Sequence, residues 1–198
     1  VCAPSTGGGL EVLTTDRTTE ANGYNGGSDT YPDANYTSLF GGTSAAAPLV
    51  AGVLALGKQA NLALETRLAK HALARTSRRV DPAQPAWVQN AAGLWFNPNY
   101  GFGLVDADAF TLEVNRWARV TPSVVLASGN QTINAAIPDN LPAGVDRTFT
   151  ITGAGFCEEV LVSLDVTHAY RGDLEGFLIS PSGTTTRLFA STPADTAS

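Results

Sequence analysis

The 198 residues include no methionine, two cysteines, two histidines, and twelve lysines and arginines against eighteen acidic residues. Each scarcity excludes something. Cys2 and Cys157 make no disulfide framework and have no metal-ligand spacing. Each is open to being a free thiol, half of a bridge to a residue elsewhere, or a partner for the other. A net charge of −6 with scattered basic residues offers no extended cationic surface, so nucleic-acid binding is not expected. The one basic cluster, Arg75, Arg78 and Arg79, suits the C-terminal end of a helix, where cations complement the dipole. No apolar run approaches the roughly 18–20 residues that span a bilayer. The longest, Leu49–Leu56, reads as a short buried helix or part of one. The opening Val1-Cys2-Ala3-Pro4 has no signal-peptide architecture. With no methionine anywhere, the chain is expected to be an internal piece of a longer polypeptide.

What is present is a globular composition: 43% hydrophobic and 15% charged residues are enough to build a core. The pattern changes once along the chain. Leu10, Val12 and Leu13 read as a strand after a glycine turn at Gly7–Gly9, and residues 17–38, rich in Gly, Asn, Asp, Ser, Thr and Tyr, read as a long surface loop. A helix is expected from about Ser44 to Ala60. A second is expected over Leu64–Arg75, with Leu64, Leu68, Ala72 and Leu73 on one face, and a third over Ala107–Trp117. After Arg119, short β-branched runs (Ser123–Leu126, Gln131–Ile137, Thr148–Thr152, Val160–Val166, Gly176–Ile179, Thr185–Leu188) alternate with turn residues. That spacing argues an all-β sandwich. The expected organisation is an α/β piece over residues 1–118 and a β piece over 119–198.

The most informative stretch is Gly41-Gly42-Thr43-Ser44-Ala45-Ala46-Ala47-Pro48. A nucleophilic serine needs an exposed hydroxyl, small neighbours, and donors for the oxyanion that develops on the attacked carbonyl. Two glycines permit a tight turn, and a serine at the start of a helix places its own N–H at the positive end of the dipole. Pro48 is expected to be tolerated because first-turn N–H groups have no intrahelical partner. An isolated serine before alanines would read as an ordinary N-cap. The whole octet points instead to catalysis, and Ala46 excludes the Gly-x-Ser-x-Gly elbow of α/β-hydrolases.

The octet resembles the nucleophile motif Gly-Thr-Ser-x-Ala-x-Pro of subtilisin-like serine proteases at every fixed position. Ala3-Pro4-Ser5, Thr14-Thr15-Asp16 and Tyr100-Gly101-Phe102-Gly103-Leu104-Val105-Asp106-Ala107 resemble segments of the kexin/proprotein-convertase branch. Ile137-Pro138-Asp139-Asn140, His168-Ala169-Tyr170-Arg171-Gly172-Asp173-Leu174 and Leu178-Ile179-Ser180-Pro181-Ser182-Gly183-Thr184 resemble its P (Homo B) domain, a jelly-roll-like sandwich. The resemblance implies the C-terminal part of a peptidase domain followed by an incomplete P domain. It implies a secreted endopeptidase that hydrolyses polypeptides through an acyl-enzyme on Ser44, with the Ser44 N–H binding the oxyanion. The triad His and Asp and the oxyanion Asn are implied upstream, so these residues alone are expected to be inactive. The chemistry needs no cofactor. The kexin branch also raises cleavage after basic residues. The chain is expected to be monomeric.

The remaining signals have plainer readings. His71 sits at the margin of a helix face and His168 within the P-domain motif; neither is offered as a base. Arg171-Gly172-Asp173 reads as a turn before it reads as an adhesion tripeptide. The sequons Asn35-Tyr36-Thr37 and Asn130-Gln131-Thr132 matter only in a glycosylating host. Asn22, Asn25, Asp29 and Asp33 offer oxygens of the type that hold structural calcium, without regular ligand spacing, and a solvated loop is the preferred reading. Asp106 and Asp108 suit a helix cap. The rival to an enzyme is a secreted binding or adhesion protein built on a protease-like domain that has lost its triad.

Overall fold

Eighteen consecutive residues rich in Ala, Leu and Val, opened by glycine and closed by asparagine, form the longest element, helix α1 (Thr43–Ala60). The structure, a computed structural model, describes residues 1–18, 23–27, 29–138 and 141–192. Asn22 of the loop and Asp139-Asn140 of the P-domain motif lie outside the described residues. Two compact units divide the chain, Val1–Thr121 and Pro122–Ser198.

In the first unit, α2 (Thr66–Thr76) turns Leu68, Ala69 and Ala72 inward, and α3 (Ala107–Arg116) turns in Phe110 and Val114. Ala69, Ala72, Phe110 and Val114 make one cluster, joined by Val53 and Leu54 of α1 and by Leu64 and Leu73. Fully burying a Val- or Phe-sized side chain is worth about 1.5–3 kcal/mol, so Phe110 and Val114 dominate this small core. Gly57 explains how α1 and α3 come close: a Cβ there would run into the Phe110 ring. Asn61 clamps the same two helices, its amide donating to the carbonyls of Val114 at 2.8 Å and Trp117 at 2.9 Å. Asp106 caps α3 by accepting from the Ala109 N–H at 3.0 Å, and its other oxygen meets Arg78 Nε at 3.2 Å.

Strand pairing in this unit is sparse and mostly antiparallel. β1 (Val12–Thr15) pairs with β2 (Tyr36–Phe40), and β3 (Val88–Gln89) with β4 (Trp95–Phe96). Leu104 is a junction, bridging Cys2 in parallel and Arg78 in antiparallel sense. Asn97, fully buried, ties the turn after β4: Nδ2 donates to Gln84 Oε1 at 2.8 Å, while Oδ1 accepts from the N–H groups of Asn99 and Tyr100. The basic cluster disperses among separate partners. Arg75 pairs with Glu113, Arg78 with Asp106, and Arg79 lies 4.5 Å over the Trp95 ring.

The second unit contains a short 3₁₀ turn over Arg171–Asp173 and a hairpin of β5 (Gly176–Ile179) with β6 (Thr185–Phe189). Ser180 and Gly183 close the hairpin. Of the six runs expected as strands, these two pair. The other four carry no regular secondary structure, and Val125 and Leu161 on them are each about nine-tenths exposed. β-branched residues favour extended backbone, but a strand exists only where a neighbour takes up its N–H and C=O groups.

Two further differences from the sequence reading concern the first unit. Residues 36–40 form a strand although 36–38 fall at the end of the expected loop. Only Leu39 and Phe40 are strongly apolar there, so hydrogen bonding decides the conformation. The stretch Leu49–Leu56 is also less buried than expected: Leu49 and Leu56 are 43% and 50% exposed, because α3 and the rest of the core cover only the side bearing Val53, Leu54 and Gly57. Among the described residues, no helix is long and apolar enough to cross a membrane.

Candidate active site

Ser44 is the second residue of α1 and exposed. Among the described residues, neither its hydroxyl nor its N–H has a hydrogen-bond partner. A helix leaves its first N–H groups without intrahelical acceptors, and here two of the N–H groups at this end are taken up locally. Gly42 N–H donates to Thr6 Oγ1 at 3.2 Å and Ala45 N–H to the Gly42 carbonyl at 3.1 Å. The N–H groups of Thr43 and Ser44 therefore point the positive end of the helix at whatever approaches.

The turn before Ser44 is held on both sides. Gly42 adopts φ 71, ψ −172, a backbone region essentially confined to glycine. Its carbonyl accepts from the Ser5 hydroxyl at 2.5 Å. A Cβ on Gly41 would collide with the Thr6 side chain. Ser5 and Thr6 are thus supports of the turn that the sequence reading missed, since nothing in a Ser-Thr pair some 36 residues upstream signals contact with it. Ala45 is buried and anchors the first turn of the helix.

Pro48 has a different role from the one expected. It is the sixth helical residue, past the first turn, where its missing N–H would have bonded the carbonyl of Ser44. The proline thus frees that carbonyl from the helical ladder.

The loop that precedes β2 is organised by two polar side chains. Asn25, 3% exposed, donates from Nδ2 toward the carbonyls of Tyr36 at 2.9 Å, Tyr31 at 3.1 Å and Asp33 at 3.3 Å. Its N–H donates to Asp16 Oδ2 at 2.7 Å. Asp29 accepts from the Ser38 hydroxyl, from Ser38 N–H at 2.6 Å, from the Thr37 hydroxyl at 2.9 Å and from Tyr31 N–H at 3.0 Å. The Ser38 hydroxyl is the chief cause holding the Asp29 carboxyl below the usual carboxylate range, with partial desolvation opposing it and the other donors assisting. Asp16 is lowered chiefly by the Asn25 N–H. All four acceptor positions of Asp29 face N–H or O–H donors. Asp33 Oδ1 accepts the N–H and the side-chain amide of Asn35. Among the described residues no group of three or more His, Cys, Asp or Glu is placed to hold a metal.

His71 is half-buried on α2. His168 accepts the Tyr170 N–H on Nδ1 at 3.1 Å and leads into the turn formed by Arg171-Gly172-Asp173, where buried Gly172 accepts from Thr192 N–H. Thr37 of the first sequon is buried, whereas Asn130 and Thr132 of the second are exposed. Cys2 and Cys157 are both free thiols. Asp106 is the cap of α3, and Asp108 lies in its first turn.

Residues 7–103, which include Ser44 and the glycine turn before it, match the subtilase family. Residues 157–198 match the proprotein convertase P-domain. The chain belongs to the subtilases, in the proprotein-convertase branch that carries this second domain. Human proprotein convertase subtilisin/kexin type 6 is 37% identical over 158 residues, which is 75% of this chain and 16% of the relative. Endoprotease aex-5 of Caenorhabditis elegans is 33% identical over 159 residues, 80% of this chain and 28% of that protein. The crystal structure of the serine protease of Aeromonas sobria superposes with a TM-score of 0.68 at 30% identity, covering 94% of this chain and 37% of that one. The chain thus spans about a sixth of the human relative's length.

Proposed function

We propose that Ser44 is the nucleophile of a serine endopeptidase acting on polypeptides. Its Oγ bonds to the scissile carbonyl carbon while its proton passes to a histidine oriented by an aspartate. Both partners belong to the parent protein outside these 198 residues. The Ser44 N–H, at the positive end of α1, donates to the oxyanion. Protonation of the leaving amine breaks the C–N bond, and water then releases the acyl group and restores Ser44. The observation that carries this reading is the exposed Ser44, with hydroxyl and N–H both unengaged, on a turn held by Ser5, Thr6 and Gly42.

The chemistry itself requires no cofactor. A secreted location and a preference for basic residues rest on kinship with the proprotein convertases, and a cleavage profile over a peptide library tests the second. The deciding experiment treats the full-length protein with a fluorophosphonate, which phosphonylates an activated serine with loss of fluoride. Labelling is expected at Ser44, and Ser44→Ala is expected to lose labelling together with roughly four to six orders of magnitude in turnover. A correctly folded, mature protein that neither labels nor cleaves peptides would instead be the binding protein built on this fold.

A further inference from the structure

The pairing of β1 with β2 is not regular. Val12 faces Phe40 and Thr14 faces Thr37, so β1 advances two residues while β2 advances three. The extra residue makes a bulge on β2 at Ser38–Leu39. A bulge bends its strand and leaves the extra residue's backbone out of the ladder, and such features occur beside active sites, where they redirect the chain beyond them. Here Phe40 ends the strand, Gly41 and Gly42 turn, and Ser44 lies on α1 immediately beyond.

The bulge is where Asp29 binds. Its Oδ2 accepts the Ser38 N–H and the Thr37 hydroxyl, and its Oδ1 accepts the Ser38 hydroxyl and the Tyr31 N–H. Thr37 Oγ1 also accepts the Leu39 N–H at 3.2 Å. Asn25 secures the start of the same strand through the Tyr36 carbonyl. One carboxylate thus holds Thr37, the last paired residue before the bulge, and Ser38, the first residue within it.

We infer that Asp29 is a positioning residue for Ser44: it locks the β2 bulge and thereby sets the direction from which the strand delivers the glycine turn and the nucleophile. The inference rests on Ser44 being the nucleophile. Asp29 does not touch substrate; it acts through the backbone of residues 37–42.

The test uses the full-length protein carrying Asp29→Asn, which keeps the size but removes the charge and puts an N–H₂ where two donors converge. Ser38→Ala is made in parallel; it removes one hydroxyl donor and leaves the backbone bond, so it remains informative if Asp29→Asn fails to fold. Misplacing a reacting group by about 1 Å costs on the order of a hundredfold. The expected result is a roughly ten- to hundredfold fall in kcat and in the fluorophosphonate labelling rate of Ser44 for Asp29→Asn. KM is expected to move less than about threefold, and Ser38→Ala to lie between this variant and wild type. Unchanged kcat and labelling rate per folded molecule, with only a lowered Tm, overturns the inference and leaves Asp29 a stabilising group. Failure of the wild type to label at Ser44 instead overturns the function on which the inference rests, so the two failures are distinguishable.

Discussion

Gly42 and Asp29 hold the approach to Ser44 by different means, one steric and one electrostatic. The backbone of Gly42 lies in a region that side chains resist, so Gly42→Ala is expected to cost about 1–3 kcal/mol. Urea unfolding measures that cost, and the labelling rate of Ser44 is expected to fall with it. Asp29 gives a pH dependence whose sign follows from its lowered pKa. The folded carboxyl titrates below its unfolded value near 3.8, so its contribution is complete above that value. It is lost only as pH falls through the lower, folded value. Amide exchange at Ser38 is therefore expected to stay protected at about pH 4, to be released only in stronger acid, and to lose this step in Asp29→Asn. At this scale the glycine turn and the exposed serine at the head of α1 were legible because each residue acts locally, glycine making the turn and alanine leaving room. The roles of Ser5, Thr6 and Asp29 were not legible. A hydroxyl or carboxylate that bonds backbone across a fold has no sequence pattern of its own, and Asp29 stood out only as a candidate cation ligand.

The elements meet at a few demanding positions. Phe110 of α3 is fully buried against Gly57 of α1. Phe110→Ala is expected to destabilise the first unit by about 3–5 kcal/mol. Gly57→Val, which pushes a side chain into the same ring, is expected to cost about 1–3 kcal/mol. Thermal unfolding checks both, and their effects should not add, since both act on one contact. The three helices were legible to within a residue or two because 3.6-residue periodicity and the caps are local properties. Pro48 was misplaced because it lies past the unpartnered first-turn N–H groups from either start, fifth if counted from Ser44 and sixth from Thr43. β2 was missed for a different reason. Its pairing is set by partners more than twenty residues away in β1 and by Asp29, while its own alternation is weak.

Across the whole molecule the two units differ in how their backbone groups are engaged. The first combines three helices, short strand pairs and a cluster of buried side chains. In the second, among the described residues, 122–138 and 141–167 carry no regular secondary structure and only β5 and β6 pair. Hydrogen exchange read by mass spectrometry is expected to be slow across α1, α2 and α3 and fast across 122–138 and 141–167 of this chain. Equal protection in both regions would contradict the backbone arrangement. The order of the two domain types was legible because composition changes abruptly after Arg119, whereas strand pairing depends on long-range register and was not.

The pair Arg78-Arg79 acquires a particular standing from the way Leu104 is placed. Trypsin draws its substrate into an extended pairing and needs both the backbone and the arginine side chain free. Arg78 already exchanges both backbone hydrogen bonds with Leu104, its guanidinium meets Asp106, and Arg79 is stacked over Trp95. The pair is exposed to water, yet its pairing with Leu104 is expected to slow tryptic cleavage. Cleavage after Arg79 is then expected to follow the rate at which the segment around Leu104 peels away.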